Sequence, residues 1–302
     1  MFRYLERAEN TTRLLEAGWR IALTRAGQGQ SEWESVINTA GVRGAYLGKH
    51  ADFEAAPVIN FLLRDADNPS SVLNCVGAAR TNARMVRTAL SSEVWEAVNE
   101  CWMAVKAALA RPVTEKSLAD VLSVIRSTSA MVRGAVHGTM LRNEIYNFCR
   151  MGTFVERADN TGRILDVKYY VLLPTAAFVG SAVDNTQWET ILRSVSAERS
   201  YSWLYGGESS AAGISEFLIL DRRMPRSITF CLSKVRENLC HLEGDHGARR
   251  PCQDRADALV KRVSGRQIGA IIDEGLHEFL EETLNDIAGL AAQIEQDFRF
   301  YG

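Results

Sequence analysis

The chain reads as an all-α protein, and three observations carry that reading. Apolar residues recur at helical spacing along nearly all of its 302 residues. Period-two runs of Val, Ile and Thr, the mark of strands, are almost absent. One amphipathic helix is written twice. Tyr4–Glu16 (YLERAENTTRLLE) aligns with Phe154–Asp166 (FVERADNTGRILD), with E, R, A, N, T, R and L coinciding, seven of thirteen positions.

The first expected helix covers 2–26 and carries the first copy. Ser31-Glu32-Trp33-Glu34 reads as a capping box opening a helix over 32–47. Helices over 53–64 and 69–89 follow, the second entered through Asn68-Pro69-Ser70-Ser71, because a first helical turn tolerates proline's missing N–H. Apolar spacing then predicts 92–109, closed by Pro112, then 114–138, then 142–172 with the second copy, closed by Pro174. Thr186-Gln187-Trp188-Glu189 reads as the matching capping box for 187–205. The remaining helices are 209–220, 225–242 entered at Pro225, 252–264 and 268–298. Glu243–Arg250 (EGDHGARR) is the clearest loop.

The repeat extends beyond one helix. The two capping boxes match at an offset of 155, and Asn68–Ser71 through Cys75 matches Met224–Ser227 through Cys231 at 156. That match runs on into Arg80/Arg236 and Asn82/Asn238. Two homologous multi-helix halves are therefore expected, 1–138 and 139–302, forming one compact helical bundle related by a pseudo-twofold. Met1 already lies inside the first copy, whereas about ten helix-compatible residues precede the second, so a clipped N-terminus is expected.

A chain this long with 46% hydrophobic residues can bury a sizeable core. Its net charge of −2 gives no electrostatic reason to expect a nucleic-acid or membrane partner. Six cysteines with no C-x-x-C pair and no secretion signal predict free thiols in the cytoplasm. The most apolar stretch, Tyr169–Val183, is too short for a bilayer.

A stripe of apolar residues explains a repeated helix, but repeated Glu, Arg and Asn on its other faces need a further reason. Helical geometry places Tyr4, Leu5, Ala8, Thr12 and Leu15 on one side and Arg3, Glu6, Asn10 and Arg13 on the other, with Arg7 between them. The second copy sets Phe154, Val155, Ala158, Gly162 and Leu165 against Glu156, Asn160 and Arg163. Glu9/Arg13 and Asp159/Arg163 have i,i+4 spacing for ion pairs. On a structural reading these faces are solvated or mutually paired, as in a reciprocal lock of Glu6 with Arg157 and Arg7 with Glu156. On a functional reading Arg7, Asn10, Arg13, Arg157, Asn160 and Arg163 line an anion or substrate pocket, with Glu6 or Glu156 as general base. A second basic set, Arg80 and Arg84 after one turn and Arg222, Arg223 and Arg226 around the other, lies near helix N-termini that favour anions. The opposing reading is caps with solvated arginines.

Other chemistry is poorly supported. Glu274-Gly-Leu-His277 is one E-x-x-H where a di-iron bundle needs two. The spacing of Cys240, His241, His246 and Cys252 fits no standard zinc site. Neither a metal nor a cofactor is predicted. Trp95, Trp102, Trp203 and Tyr205 are expected in the core. No G-x-S-x-G, Walker A or G-x-G-x-x-G pattern is present.

The strings Met1–Glu16, Gly138–Glu144 (GTMLRNE) and Phe154–Asp166, with N-P-S-S at Asn68–Ser71 and M-P-R-S at Met224–Ser227, resemble the bacterial Alpha-E family over nearly the whole chain. The resemblance implies an α-helical domain named for its E-R motif, here Glu6-Arg7 and Glu156-Arg157, with Asn10 and Asn160 also matching. It further implies association with circularly permuted ATP-grasp enzymes, and often with transglutaminase-like proteins, in systems that form or modify amide bonds in peptides. The expected function is a helical partner or scaffold of an ATP-grasp ligase. The alternatives are a stand-alone amide hydrolase or transferase and a structural dimerising module, with a second copy of the chain as partner.

Overall fold

The computed structural model describes residues 1–24, 29–171, 182–206 and 209–298. Among them every regular element is a helix and none is a strand. The chain divides into two compact units, Met1–Cys149 and Arg150–Gly302.

The first unit contains α1 (Phe2–Thr24), α2 (Gly29–Thr39), α3 (Arg43–Leu47), α4 (Ala55–Arg64), α5 (Val72–Met85), a 3-10 turn (Arg87–Ala89), α6 (Ser92–Ala108) and α7 (Glu115–Thr139). α1 packs on α5, α7, α2 and α4, while α6 packs on α5 and α7. Leu5, Ala8 and Leu15 of α1 join Val76, Ala79, Val98, Cys101, Leu122 and Ile125 in one buried apolar cluster. Gly18 permits the close approach of α1 to α2, because a Cβ there would sit 2.3 Å from Val36 Cγ2.

α8 (Glu144–Val171) begins in the first unit, and its residues from Arg150 onward belong to the second. That unit continues with α9 (Ala182–Ser194), α10 (Glu198–Tyr205), α11 (Ala211–Ile219), α12 (Ile228–His246), α13 (Pro251–Ser264), α14 (Ile268–Glu274) and α15 (Leu276–Asp297). α12 packs on α13 and α13 on α15, and α11 touches α9, α12 and α14. Phe154 meets Phe230 edge to face at 5.9 Å, joining α8 to α12. Gly162 lies against Leu284 of α15, where a Cβ would approach within 2.9 Å.

Several expected helices are broken where backbone conformation decides. The stretch 32–47 is divided around Gly41, at φ 69°, and 187–205 around Ser196, at φ 54°. The stretch 268–298 is divided at Gly275, at φ 111°, so Glu274 and His277 stand on different helices. The expected loop 243–250 is mostly helix, since α12 runs to His246 and ends on left-handed Gly247. Ser31 and Thr186 lie inside α2 and α9 rather than before them, because helical backbone continues upstream of each. Pro69 and Pro225 precede their helices instead of entering the first turn. The caps are Ser71 and Ser227, whose hydroxyls accept from Asn74 N at 3.3 Å and Phe230 N at 3.0 Å. Pro174 lies outside the described residues.

Trp203 is 87% exposed rather than in the core. Trp95 and Trp102 are half-buried beneath Arg87 and Lys106, and Tyr205 stacks on Tyr201 at 4.6 Å. All six cysteines are free thiols, five of them buried. No described helix is long and apolar enough to cross a membrane.

Candidate functional site

In the first unit the polar face of the repeated helix is exposed at Arg3 but buried at its centre. Glu6, Glu9 and Asn10 are only 2%, 1% and 3% exposed, because α1 is enclosed on several sides by its neighbours. Glu9 is a hub. One of its oxygens accepts from Arg13 one turn on, at 2.7 Å, and the other is ion-paired with Arg133 of α7. Seven residues further along α1, Glu16 pairs with Arg126 of α7 and with Arg20 at 2.9 Å. Glu9/Arg133 and Glu16/Arg126 define the register of an antiparallel helix pair, since seven residues forward on α1 are seven backward on α7.

Four guanidiniums, Arg13, Arg20, Arg126 and Arg133, pair with the two carboxylates of Glu9 and Glu16. Burial pushes the Arg126 pKa down, the like charge of Arg13 adds to that, and Glu9 opposes both. Guanidinium groups on both sides of the two carboxylates tie α1 to α7.

In the second unit the same motif is arranged differently. Glu156 is 4% exposed, Arg157 and Asn160 are half-buried, and Arg163 is exposed. Arg163 pairs with Asp159 at 2.8 Å, as spacing predicted. Asp166 bonds Nδ1 of His277 on α15 at 2.5 Å.

The two repeated motifs of this unit meet. Arg157 Nη1 donates to the Pro225 carbonyl at 3.2 Å, and Thr161 Oγ1, one turn on, donates to the Arg226 carbonyl at 2.8 Å. The E-R helix thereby clamps the turn that opens α12. That turn is also held from within, with Asp221 Oδ1 accepting from the N–H groups of Arg223 at 2.6 Å and Met224 at 3.2 Å, and the Ser227 hydroxyl donating to the Asp221 carbonyl. Cys231 Sγ reaches the Pro225 carbonyl at 3.6 Å.

The corresponding turn of the first unit is built on similar lines. Asn68 Oδ1 accepts from Ser70 N at 3.0 Å, and Asn74 Nδ2 donates to the Asn68 and Ala66 carbonyls at 2.8 and 2.9 Å. Cys75 Sγ lies 3.9 Å from the Pro69 carbonyl. Ser71 and Ser227 therefore use their hydroxyls as caps.

Of the sequence-predicted residues, the structure brings Arg13 to a buried carboxylate and Arg157 to the turn containing Arg226. Glu6 and Arg7 sit on α1, the first buried and the second half-buried. Arg80 bonds Asn99 on α6 at 2.8 Å, away from the E-R helix. Arg226 is buried, at 6% exposure. Glu9, Arg126, Arg133 and Thr161 were missed as key residues. A signal for the first three was present: Glu9 and Glu16 are seven apart, as are Arg126 and Arg133, on two predicted helices.

Among the described residues no group of three or more His, Cys, Asp or Glu side chains is placed to hold a metal ion. Cys252, one of the thiols considered for zinc, is buried and has its pKa pushed up to about 12 by that burial, while its backbone N–H donates to Asp297 at 2.7 Å.

Comparison with known proteins adds three findings. Residues 1–298 match a family described as a predicted alpha-helical domain with a conserved ER motif. Uncharacterised proteins of Mycobacterium bovis and Mycobacterium tuberculosis are each 26% identical over 317 residues, a match covering 97% of this chain and 34% of theirs. The chain thus spans about a third of the length of the curated relatives it matches. No solved structure matches it.

Proposed function

This chain belongs to the Alpha-E family, and on that premise we propose that it is a helical partner of an ATP-grasp ligase in a cytoplasmic pathway that forms amide bonds or modifies peptides. The observation that carries the reading is the length of the relatives. In the mycobacterial proteins the matched region fills 34% of the polypeptide, so there it is covalently joined to a much larger remainder. A helical region carried within a longer chain suits a scaffold or substrate-presenting role.

The state of the conserved-motif carboxylates supports the same reading over a stand-alone amide hydrolase or transferase. A general base must reach its substrate, and Glu6 and Glu156 expose 2% and 4% of their surface. The Arg157 contact with Pro225 gives the E-R motif an architectural task.

The test is ATP turnover by the neighbouring ATP-grasp enzyme, measured alone, with the full chain, and with an Arg7→Ala/Arg157→Ala variant checked for folding by circular dichroism. Stimulation by the native chain and its loss in the folded variant are expected. No stimulation and no physical association would overturn the proposal.

We also infer that the two units are copies of one ancestral half related by a pseudo-twofold. Support comes from the Ser71 and Ser227 caps, the Cys75 and Cys231 thiols over proline carbonyls, and the buried Glu6 and Glu156. A crystal structure in which superposing the E-R helices fails to bring these two turns together would refute it.

A further inference from the structure

The turn before α12 and the facing sides of α12 and α13 enclose a groove of about 400 Å³. Arg222 enters it from the turn. Ser233 and Arg236, three residues apart, come from one face of α12, and Asp257, Lys261 and Ser264 from one face of α13. The groove lies wholly within the second unit and is independent of the partner reading above.

Its cations are not equivalent. Arg236 Nε bonds Asp257 Oδ1 at 2.5 Å, and Arg249 bonds the other oxygen of Asp257 at 2.5 Å. Nearby, Arg223 is paired with Asp221 at 2.8 Å and Lys234 with Glu237 at 2.5 Å. Arg222 and Lys261 differ. Among the described residues neither side chain makes a hydrogen bond or an ion pair, and both face the one cavity. Arg255, also on α13, is likewise unpaired but reaches toward Gly289 of α15 and does not line the groove, so Arg222 and Lys261 are set apart by sharing one cavity.

The lining carries three positive charges, Arg222, Arg236 and Lys261, against one negative, Asp257, a surplus of two. The hydroxyls of Ser233 and Ser264 add two donors. We propose that this groove binds a phosphate monoester on a small organic body. Such a group carries about −1.5 to −2 charge at pH 7 and three strong acceptor oxygens, which suits two open cations and two hydroxyls better than a single carboxylate does. A guanidinium can take two of those oxygens side by side while the ammonium acts as a point charge. The volume falls within the usual small-ligand range of roughly 300–1,000 Å³, leaving room for more than the phosphate alone.

The experiment is titration of the isotope-labelled full chain with glycerol 3-phosphate, followed by amide chemical shifts, with succinate as the dicarboxylate competitor. Two variants accompany it, Arg222→Gln/Lys261→Gln and, as a control on an exposed arginine of the first unit, Arg84→Gln. Urea midpoints establish that each is folded. The expected result is saturable binding of glycerol 3-phosphate, weakened about tenfold or more by the double substitution and unchanged by Arg84→Gln. Absence of saturation, or saturation indifferent to the double substitution, would overturn the site. Equal affinity for succinate would overturn the choice of phosphate.

Discussion

Glu9 on α1 and Arg133 on α7 are ion-paired, with the carboxylate 1% exposed and the guanidinium about a third exposed. The two sides of this pair are therefore unequal. An arginine that loses its partner can turn toward water, whereas a carboxylate that loses its cations remains buried.

Replacing both cations of Glu9, as Arg13→Leu/Arg133→Leu, is expected to cost about 3–5 kcal/mol, the range for stranding a buried charge. Glu9→Leu should cost distinctly less, because both arginines are partly exposed, at 17% and 32%. Urea denaturation of the three proteins measures the difference. Equal costs would mean that the pairing does not govern this seam.

The clamp between Thr161 and the Arg226 carbonyl is buried, so Thr161→Val, which keeps the shape and removes the donor, should cost about 1–3 kcal/mol. Ser227→Ala should exceed Ser71→Ala, itself expected near 1 kcal/mol, since Ser227 caps α12 and also donates to Asp221. Thermal unfolding of the three single variants gives the ranking.

Gly275 sits at φ 111°, where L side chains are strained, and a Cβ there would meet Glu278 Oε2 at 2.1 Å. Gly275→Ala is expected to lower stability by about 1–3 kcal/mol, with protection of α14 amides falling first in hydrogen exchange. A neutral substitution would show that the break between α14 and α15 can relax.

Asp257 supplies a pH dependence. The hydrogen bond from Arg249 lowers its pKa, burial opposes this, and Arg236 lowers it further. The folded carboxyl therefore titrates below its ordinary value of 3.8, while the unfolded one titrates near that value. Above that range both states are ionised and the pairing contributes fully. As pH falls, the unfolded state binds its proton first and the contribution is lost through the folded pKa. Urea midpoints of the native chain and Asp257→Asn should differ most near neutrality and begin to converge only as pH falls below 3.8. A gap that stays constant would remove Asp257 from the acid response.

The amino-acid sequence by itself determined the helical class, because spacing at 3.6 residues is a local property written into every segment. It also marked the E-R helices and the two turns as related, and it supplied the Glu9/Arg13 and Asp159/Arg163 pairs, whose partners lie one helical turn apart. What lay beyond it was set by contacts between elements distant in the chain. The burial of Glu6 and Asn10 follows from how many helices surround α1, which no helical wheel contains. Glu9 became a hub only when Arg133 was brought to it from another helix. The breaks at Ser196 and Gly275 depend on positive φ angles, and Ser196 carries no residue signal for one. The groove of Arg222 and Lys261 required two helices and a turn to meet, so that two charges about forty residues apart came to share one space.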